Sequence, residues 1–202
     1  MPSFHELHKN KLNDSSWNFK YEKVMTLLNP THSQKTLAPT PPDFKAKSAE
    51  LDALLTGHWF TDLANFSAFL FHELPDLNWA GFYLSDGHQL ILGPFAGKPA
   101  CTTIRFDRGV CGASFSKSEA LLVDDVHEFP GHIACDAASN SEMVLPVIVE
   151  NECVGVLDLD SPSRARFKNE DRDGVTLWLN VLLHRCDLRP LAQTLKTRTS
   201  SP

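Results

Sequence analysis

The residues best suited to chemistry in this chain are cysteines and acids. Cys101, Cys111 and Cys135 stand in three glycine- and proline-marked contexts, KPACTTIRFDRGVCG at 98–112 and FPGHIACD at 129–136. Cysteines so placed can staple a fold, ligate a metal or do thiol chemistry. The acids are Asp158 and Asp160, two apart in the apolar run CVGVLDLD, and Glu142, which opens SEMVLPVIV. On a strand Asp158 and Asp160 share one face, with Leu157 and Leu159 on the other, so the acidic face is not ordinary core. A solvated sheet edge with Asp160 capping the turn into Ser161–Pro162 is the bland alternative. Glu142, on the neighbouring strand, reaches the same region. Carboxylates crowded together repel, and at least one should keep a proton near neutral pH.

Thiols and an acid are what a two-electron thiol reduction needs: a thiolate to attack, a proton for the departing group and a second thiol to resolve the product. Cys135, in a Gly-His-Ile-Ala-Cys-Asp loop between strands, is placed to be presented to solvent. Cys101 is expected to begin a strand after Lys98–Pro99. Cys111, between glycines at a helix start, is expected to have its thiolate favoured by the helix N-terminus. Cys153 and Cys186 read as structural. Trp79 and Tyr83 lie four apart on one face of a strand and form either core or an aromatic wall. His127 and His132 raise zinc, but the cysteines show no C-x-x-C or H-x-x-x-H pairing, so no metal is expected.

The elements that must hold these residues follow from the apolar periodicity. Helical spacing starts at Ser48 and runs through Leu51, Leu54 and Leu55, then Leu63, Phe66, Phe69, Leu70 and Leu74, with a break near Gly57. Strands are expected at 79–84, 89–95, 101–106, 120–126, 141–149 and 153–160, the last two forming a hairpin across Glu150–Asn151–Glu152. A closing helix begins at Asn169 as N-cap and carries Val175, Trp178, Leu179, Leu182 and Leu183 inward. This order describes an α+β fold with a mainly antiparallel sheet flanked by N- and C-terminal helices.

The organisation expected is a poorly structured extension and Pro-rich linker over 1–46, a catalytic domain over 47–188 and a tail over 189–202. The linker, NPTHSQKTLAPTPPDFKA at 29–46, holds four prolines. A net charge of −6 argues against nucleic acid or anionic membrane as partner and points to a small ligand. The first residues have no secretory core or cleavage site, and no stretch approaches the roughly 20 apolar residues of a membrane span. A cytoplasmic location is therefore expected, where thiols are kept reduced and any disulfide is transient.

Six ordered blocks carry a more specific signal: NWAGFYL (78–84), LGPFAGKPAC (92–101), RGVCG (108–112), DVHEFPGHIACD (125–136), SEMVLPV (141–147) and GVLDLDS (155–161). Together, over residues 47–185, they resemble the free methionine-R-sulfoxide reductases, which are GAF-domain enzymes. The resemblance implies a GAF-like fold, reduction of free L-methionine (R)-S-oxide through a sulfenic acid and an intramolecular disulfide, thioredoxin as reductant, no cofactor and a homodimer. It implies Cys135 as nucleophile and Cys101 as main resolving thiol, with Cys111 a resolver, a relay or a structural thiol. It also places Glu142, Asp158 and Asp160 in the substrate site. Asp160 and Glu142 are assigned to the sulfoxide oxygen, Asp158 to the substrate ammonium, and Trp79 and Tyr83 to its S-methyl group. The substrate carboxylate would meet backbone N–H groups near Gly109–Gly112 or Gly131. The rival reading is a non-catalytic GAF-type sensor of a small molecule or of redox state.

Overall fold

The computed structural model describes residues 41–131 and 138–191. Cys135, His132, most of the 1–46 extension and the end of the 189–202 tail lie outside the described residues. Helix α1 spans Phe44–Leu54 and α2 Trp59–Glu73. Strands β1 (Trp79–Ser85), β2 (Leu90–Gly97) and β3 (Thr103–Ile104) follow, then α3 (Gly109–Lys117) and β4 (Leu121–Val123). After the 3-10 turn Val126–Glu128 come β5 (Ser141–Val149), β6 (Glu152–Ser161) and α4 (Asn169–Arg185).

Alternation along the strands gives the sheet two different faces. Its order is β3-β2-β1-β6-β5-β4, with every neighbouring pair antiparallel. Ala80, Phe82, Met143, Leu145, Leu157 and Leu159 join the helices on one face, where Phe66, Leu70, Trp178 and Leu182 are fully buried. The other face carries Trp79, Tyr83, Val144 and Val156, which pack with Val110 and Cys111 of α3. The fold is thus α+β with the expected antiparallel sheet. The second face is the one that receives the acids.

Several boundaries differ from those read in the sequence. Helix α1 begins at Phe44 rather than Ser48, inside the stretch assigned to the linker. Asp43 caps it by accepting from the Ala46 N–H at 2.9 Å. Phe44 packs on Trp178 with ring centroids 4.7 Å apart, and its carbonyl accepts from Trp178 Nε1 at 2.8 Å. A tertiary anchor therefore starts this helix, which local periodicity does not register. Cys101 does not begin a strand: β3 is only Thr103–Ile104, because its pairing with β2 is confined to Leu90 and Ile91. The 120–126 strand shrinks to Leu121–Val123, with Val126 in the 3-10 turn. The β5–β6 hairpin closes on two residues, Glu150 (φ 51°) and Asn151 (φ 67°), whose paired positive φ match a type I′ turn. Lys168, not Asn169, is the N-cap of α4, and its N–H donates to Asp171 at 2.9 Å.

One glycine matters for the site. A Cβ on Gly81 would lie 2.7 Å from Trp79 Cη2 and collide with the Cβ of Phe95. The missing side chain lets Trp79 lie flat between the strands, stacked on Phe95 at 5.4 Å and 13°. Gly81→Ala is expected to destabilise the protein by about 1–3 kcal/mol through overpacking. Urea denaturation measures it, and an unchanged midpoint would show that the β1–β2 packing yields without cost.

Candidate active site

Register brings the acids together. Strand β6 lies between β1 and β5, so Trp79, Asp160 and Glu142 form one row across the sheet, and Gly81, Asp158 and Val144 the next. Glu142 faces Asp160 directly, and Asp158 sits diagonally, one row along the same face. Like charges so placed repel unless one is neutralised. Burial sharpens the conflict: Glu142 and Asp158 are each 6 % exposed, whereas Asp160 is half-buried.

Helix α3 closes over this row and supplies the third group. Gly109 enters the helix with φ +64°, and its N–H donates to the Gly131 carbonyl at 3.1 Å. Gly112 allows the helix to press on the preceding chain, since a Cβ there would lie 2.6 Å from the Arg105 carbonyl oxygen. Cys111, between them, points onto the sheet with its Sγ 3.8 Å from Glu142 Oε1. Ligating atoms of Cys111, Glu142 and Asp158 all lie within 4.8 Å of one another.

The protonation states follow from burial and mutual repulsion. Glu142 is held well above the usual carboxylate range, first by burial and then by the charges of Asp158 and Asp160. The Asp158 carboxyl is pushed up to about 6, chiefly by burial, with hydrogen bonds from Cys111 and Glu142 pulling the other way. The Asp158 carboxyl hydrogen-bonds with Cys111 and Glu142, while its Oδ1 is buried with no hydrogen-bond partner. Both carboxyls are thereby shifted toward the protonated form, so the pair holds a proton more readily than isolated acids would. The Cys111 thiol is likewise pushed well up, first by burial and then by Asp158 and Glu142. This runs against the expectation that the helix N-terminus favours its thiolate: burial and the two acids facing the sulfur oppose the partial positive charge of the helix end.

The aromatic pair lies beside the acids. Trp79 and Tyr83 stack at 5.8 Å and 24° and are almost wholly buried, so they are a floor rather than an open wall. Their polar ends bind the loop above: Trp79 Nε1 donates to the Lys98 carbonyl at 3.2 Å and Tyr83 Oη to the Cys101 carbonyl at 2.9 Å. Burial, then Asp158, pushes the Tyr83 phenol up, which keeps it a donor. Tyr83 thereby fixes the backbone of Cys101, a role its position in a strand did not announce. Cys101 is half-buried and disulfide-bonded, while Cys111, Cys153 and Cys186 are free thiols.

The remaining residues of interest separate from the cluster. Cys153 turns its Sγ to the Gly155 carbonyl at 3.3 Å, and Cys186 is buried at the end of α4. His127 Nε2 meets Asn140 Oδ1 at 3.2 Å and does not join the acids. Sequence reasoning missed Asn140. Its N–H donates to the Ser161 carbonyl at 2.8 Å, its side-chain amide to the Pro162 carbonyl at 2.7 Å, and its own carbonyl accepts from Val126 at 3.0 Å. It fastens the start of β5 to the end of β6, where Glu142 and Asp160 meet.

This fold and this site belong to a GAF domain: the GAF domain family model matches residues 68–177. The relatives narrow the class. A free methionine-R-sulfoxide reductase of Escherichia coli is 51% identical over 128 residues, which is 62% of this chain and 78% of that protein. One from Saccharomyces cerevisiae is 42% identical over 137 residues, 64% of this chain and 76% of that protein. The structure of free methionine-R-sulfoxide reductase from Neisseria meningitidis in complex with its substrate superposes with a TM-score of 0.69 at 31% identity, covering 84% of this chain and 99% of that one. The chain belongs to the free methionine-R-sulfoxide reductase family of GAF-domain proteins.

Asp158 also leaves a mark on stability. Its folded pKa of about 6 lies above the unfolded value of 3.8, so the native state binds the proton more tightly. Stability is then highest at acid pH with respect to this group, falls as pH rises from about 3.8 to about 6 and stays lowered above that. The penalty is on the order of 2–3 kcal/mol. Asp158→Asn should therefore be more stable than wild type at pH 7–8, with the difference shrinking toward pH 4. Urea titrations across pH measure it, and a pH-independent difference would contradict this origin.

Proposed function

We propose that this protein reduces free methionine R-sulfoxide to methionine, with Glu142 as proton donor and Cys135 as attacking thiol. The observation that carries the reading is the pair of buried acids on adjacent strands, Glu142 and Asp158, set beside Cys111, where burial and mutual repulsion favour a retained proton. A sensor needs no poised acid. A sulfoxide reductase does, because its oxygen is a poor leaving group until protonated.

In the first step the Cys135 thiolate attacks the substrate sulfur while Glu142 protonates the oxygen. The protonated oxygen then passes from the substrate sulfur to the cysteine sulfur as the new sulfur–sulfur bond breaks, so methionine leaves, the cysteine becomes a sulfenic acid, and two electrons have passed from enzyme sulfur to substrate sulfur. The Cys101 thiol then attacks the sulfenic sulfur and expels water, forming a disulfide that a dithiol donor such as thioredoxin reduces by exchange. Support for Cys101 in this role is its disulfide and the hydrogen bond from Tyr83 that fixes its carbonyl. The raised pKa of Cys111 speaks against that thiol as attacker or main resolver and favours a role as a neutral neighbour of Glu142.

Substrate choice follows from the other groups. Asp158 is suited to the α-ammonium of a free amino acid, which peptide-bound methionine lacks. Of the first-turn N–H groups of α3, those of Gly109 and Gly112 are bound to the Gly131 and Arg108 carbonyls, so those of Val110 and Cys111 suit the α-carboxylate. Trp79 and Tyr83 form an apolar floor for the S-methyl group, and half-buried Asp160 assists at the mouth. A thioredoxin-recycled enzyme fits a cytoplasmic location.

Two measurements test this. With a thiol reductant, only the free R epimer should turn over in a panel of both epimers, free and peptide-bound; binding without turnover would restore the sensor reading, and equal turnover of peptide substrate would remove the role given to Asp158. In single turnovers without reductant, Cys135→Ser should release no methionine and Cys101→Ser nearly one equivalent. Glu142→Gln should slow release by about a hundredfold or more with little change in binding, whereas Asp158→Asn should chiefly weaken binding. If Glu142→Gln keeps the wild-type rate and Asp160→Asn loses it, the acid is Asp160.

A further inference from the structure

We propose that Cys111, Glu142 and Asp158 form a zinc-binding site that a divalent transition metal occupies in competition with the substrate, making the enzyme inhibitable by zinc without being a zinc enzyme. The three side chains come from three elements, α3, β5 and β6, and converge on one point. All are at least nine-tenths buried. A thiol with two carboxylates suits a borderline-soft cation such as Zn²⁺ better than Mg²⁺ or Ca²⁺, which prefer an all-oxygen shell.

One distance is already close to what coordination requires, and side-chain adjustment within the 4.8 Å cluster would bring in the third ligand. With Zn–S near 2.3 Å and Zn–O near 2.1 Å, a tetrahedral centre puts sulfur and oxygen about 3.6 Å apart. Cys111 Sγ and Glu142 Oε1 already stand at 3.8 Å. Asp158 Oδ1, buried with no hydrogen-bond partner, is a second and independent observation: an acceptor that a cation would satisfy. Binding forms S–Zn and two O–Zn bonds, and the Cys111 and Glu142 protons leave to water.

The site does not depend on the catalytic thiols. Cys111 is free while Cys101 is disulfide-bonded, so the metal can bind the oxidised chain, in which substrate is not turned over. Overlap with the substrate rests on the reading of Asp158 as the ammonium acceptor; the metal site itself does not. Two protein carboxylates and a thiolate would then be committed to the metal, leaving neither the acid nor the ammonium acceptor available.

The experiment uses the oxidised full-length protein with Co²⁺ as a spectroscopic stand-in and Zn²⁺ as competitor. One equivalent of Co²⁺ is expected to give a thiolate-to-cobalt charge-transfer band and the intense visible bands of a four-coordinate ion, both erased by Zn²⁺. Cys111→Ser should lose the charge-transfer band. Glu142→Gln and Asp158→Asn, which keep side-chain shape, should weaken binding by about tenfold or more, while Cys153→Ser and Cys186→Ser should change nothing. Circular dichroism confirms that each variant is folded. Absence of the bands in wild type, or their persistence in folded Cys111→Ser, overturns the proposal. Bands that show this dependence but resist free methionine sulfoxide support the metal site and count instead against Asp158 as the ammonium acceptor.

Discussion

The site depends on one electrostatic conflict: Glu142 and Asp158 are buried within reach of each other on adjacent strands, and both cannot be ionised there. Antiparallel register creates the conflict by setting Glu142 opposite Asp160 and one row from Asp158. Helix α3 deepens it by laying Cys111 and its own apolar side chains over the row. A proton held by the pair resolves it, and the role proposed for Glu142 is to use that proton as a reagent.

The rest of the molecule can be understood as the frame that makes this cost bearable. One face of the sheet is a dry core, with Phe66, Phe82, Leu157, Leu159 and Trp178 all fully buried, so β6 cannot shift register without exposing it. The tight Glu150–Asn151 turn sets the β5–β6 register at one end, and Asn140 ties the strands at the other. Gly81, Gly109 and Gly112 permit the close approaches that seat Trp79 and α3. Apart from Glu150, exposed in its turn, these residues are uncharged; they hold the acids where repulsion would otherwise separate them.

Much of this was legible in the sequence. The alternation in CVGVLDLD shows that Asp158 and Asp160 share a face, and the ordered blocks indicate the GAF fold and its class. Three things were not legible. The start of α1 depends on Trp178, which lies far along the chain and is invisible to local periodicity. The state of Cys111 depends on which groups face it across the helix–sheet contact, and a helix N-terminus alone points to the opposite answer. The third is the unequal burial of the acids: Glu142 and Asp158 are enclosed and Asp160 half-open, although all three look alike as letters in a strand.

The central claim is that Glu142 is a neutral carboxylic acid at neutral pH while its neighbour Asp158 is ionised. Infrared difference spectroscopy between wild type and Glu142→Gln, at pH 7 and without substrate, tests it most directly. The account predicts the carbonyl stretch of a protonated carboxyl in the wild-type protein that disappears in Glu142→Gln and persists in Asp160→Asn. A spectrum showing only carboxylate bands at that pH would contradict it.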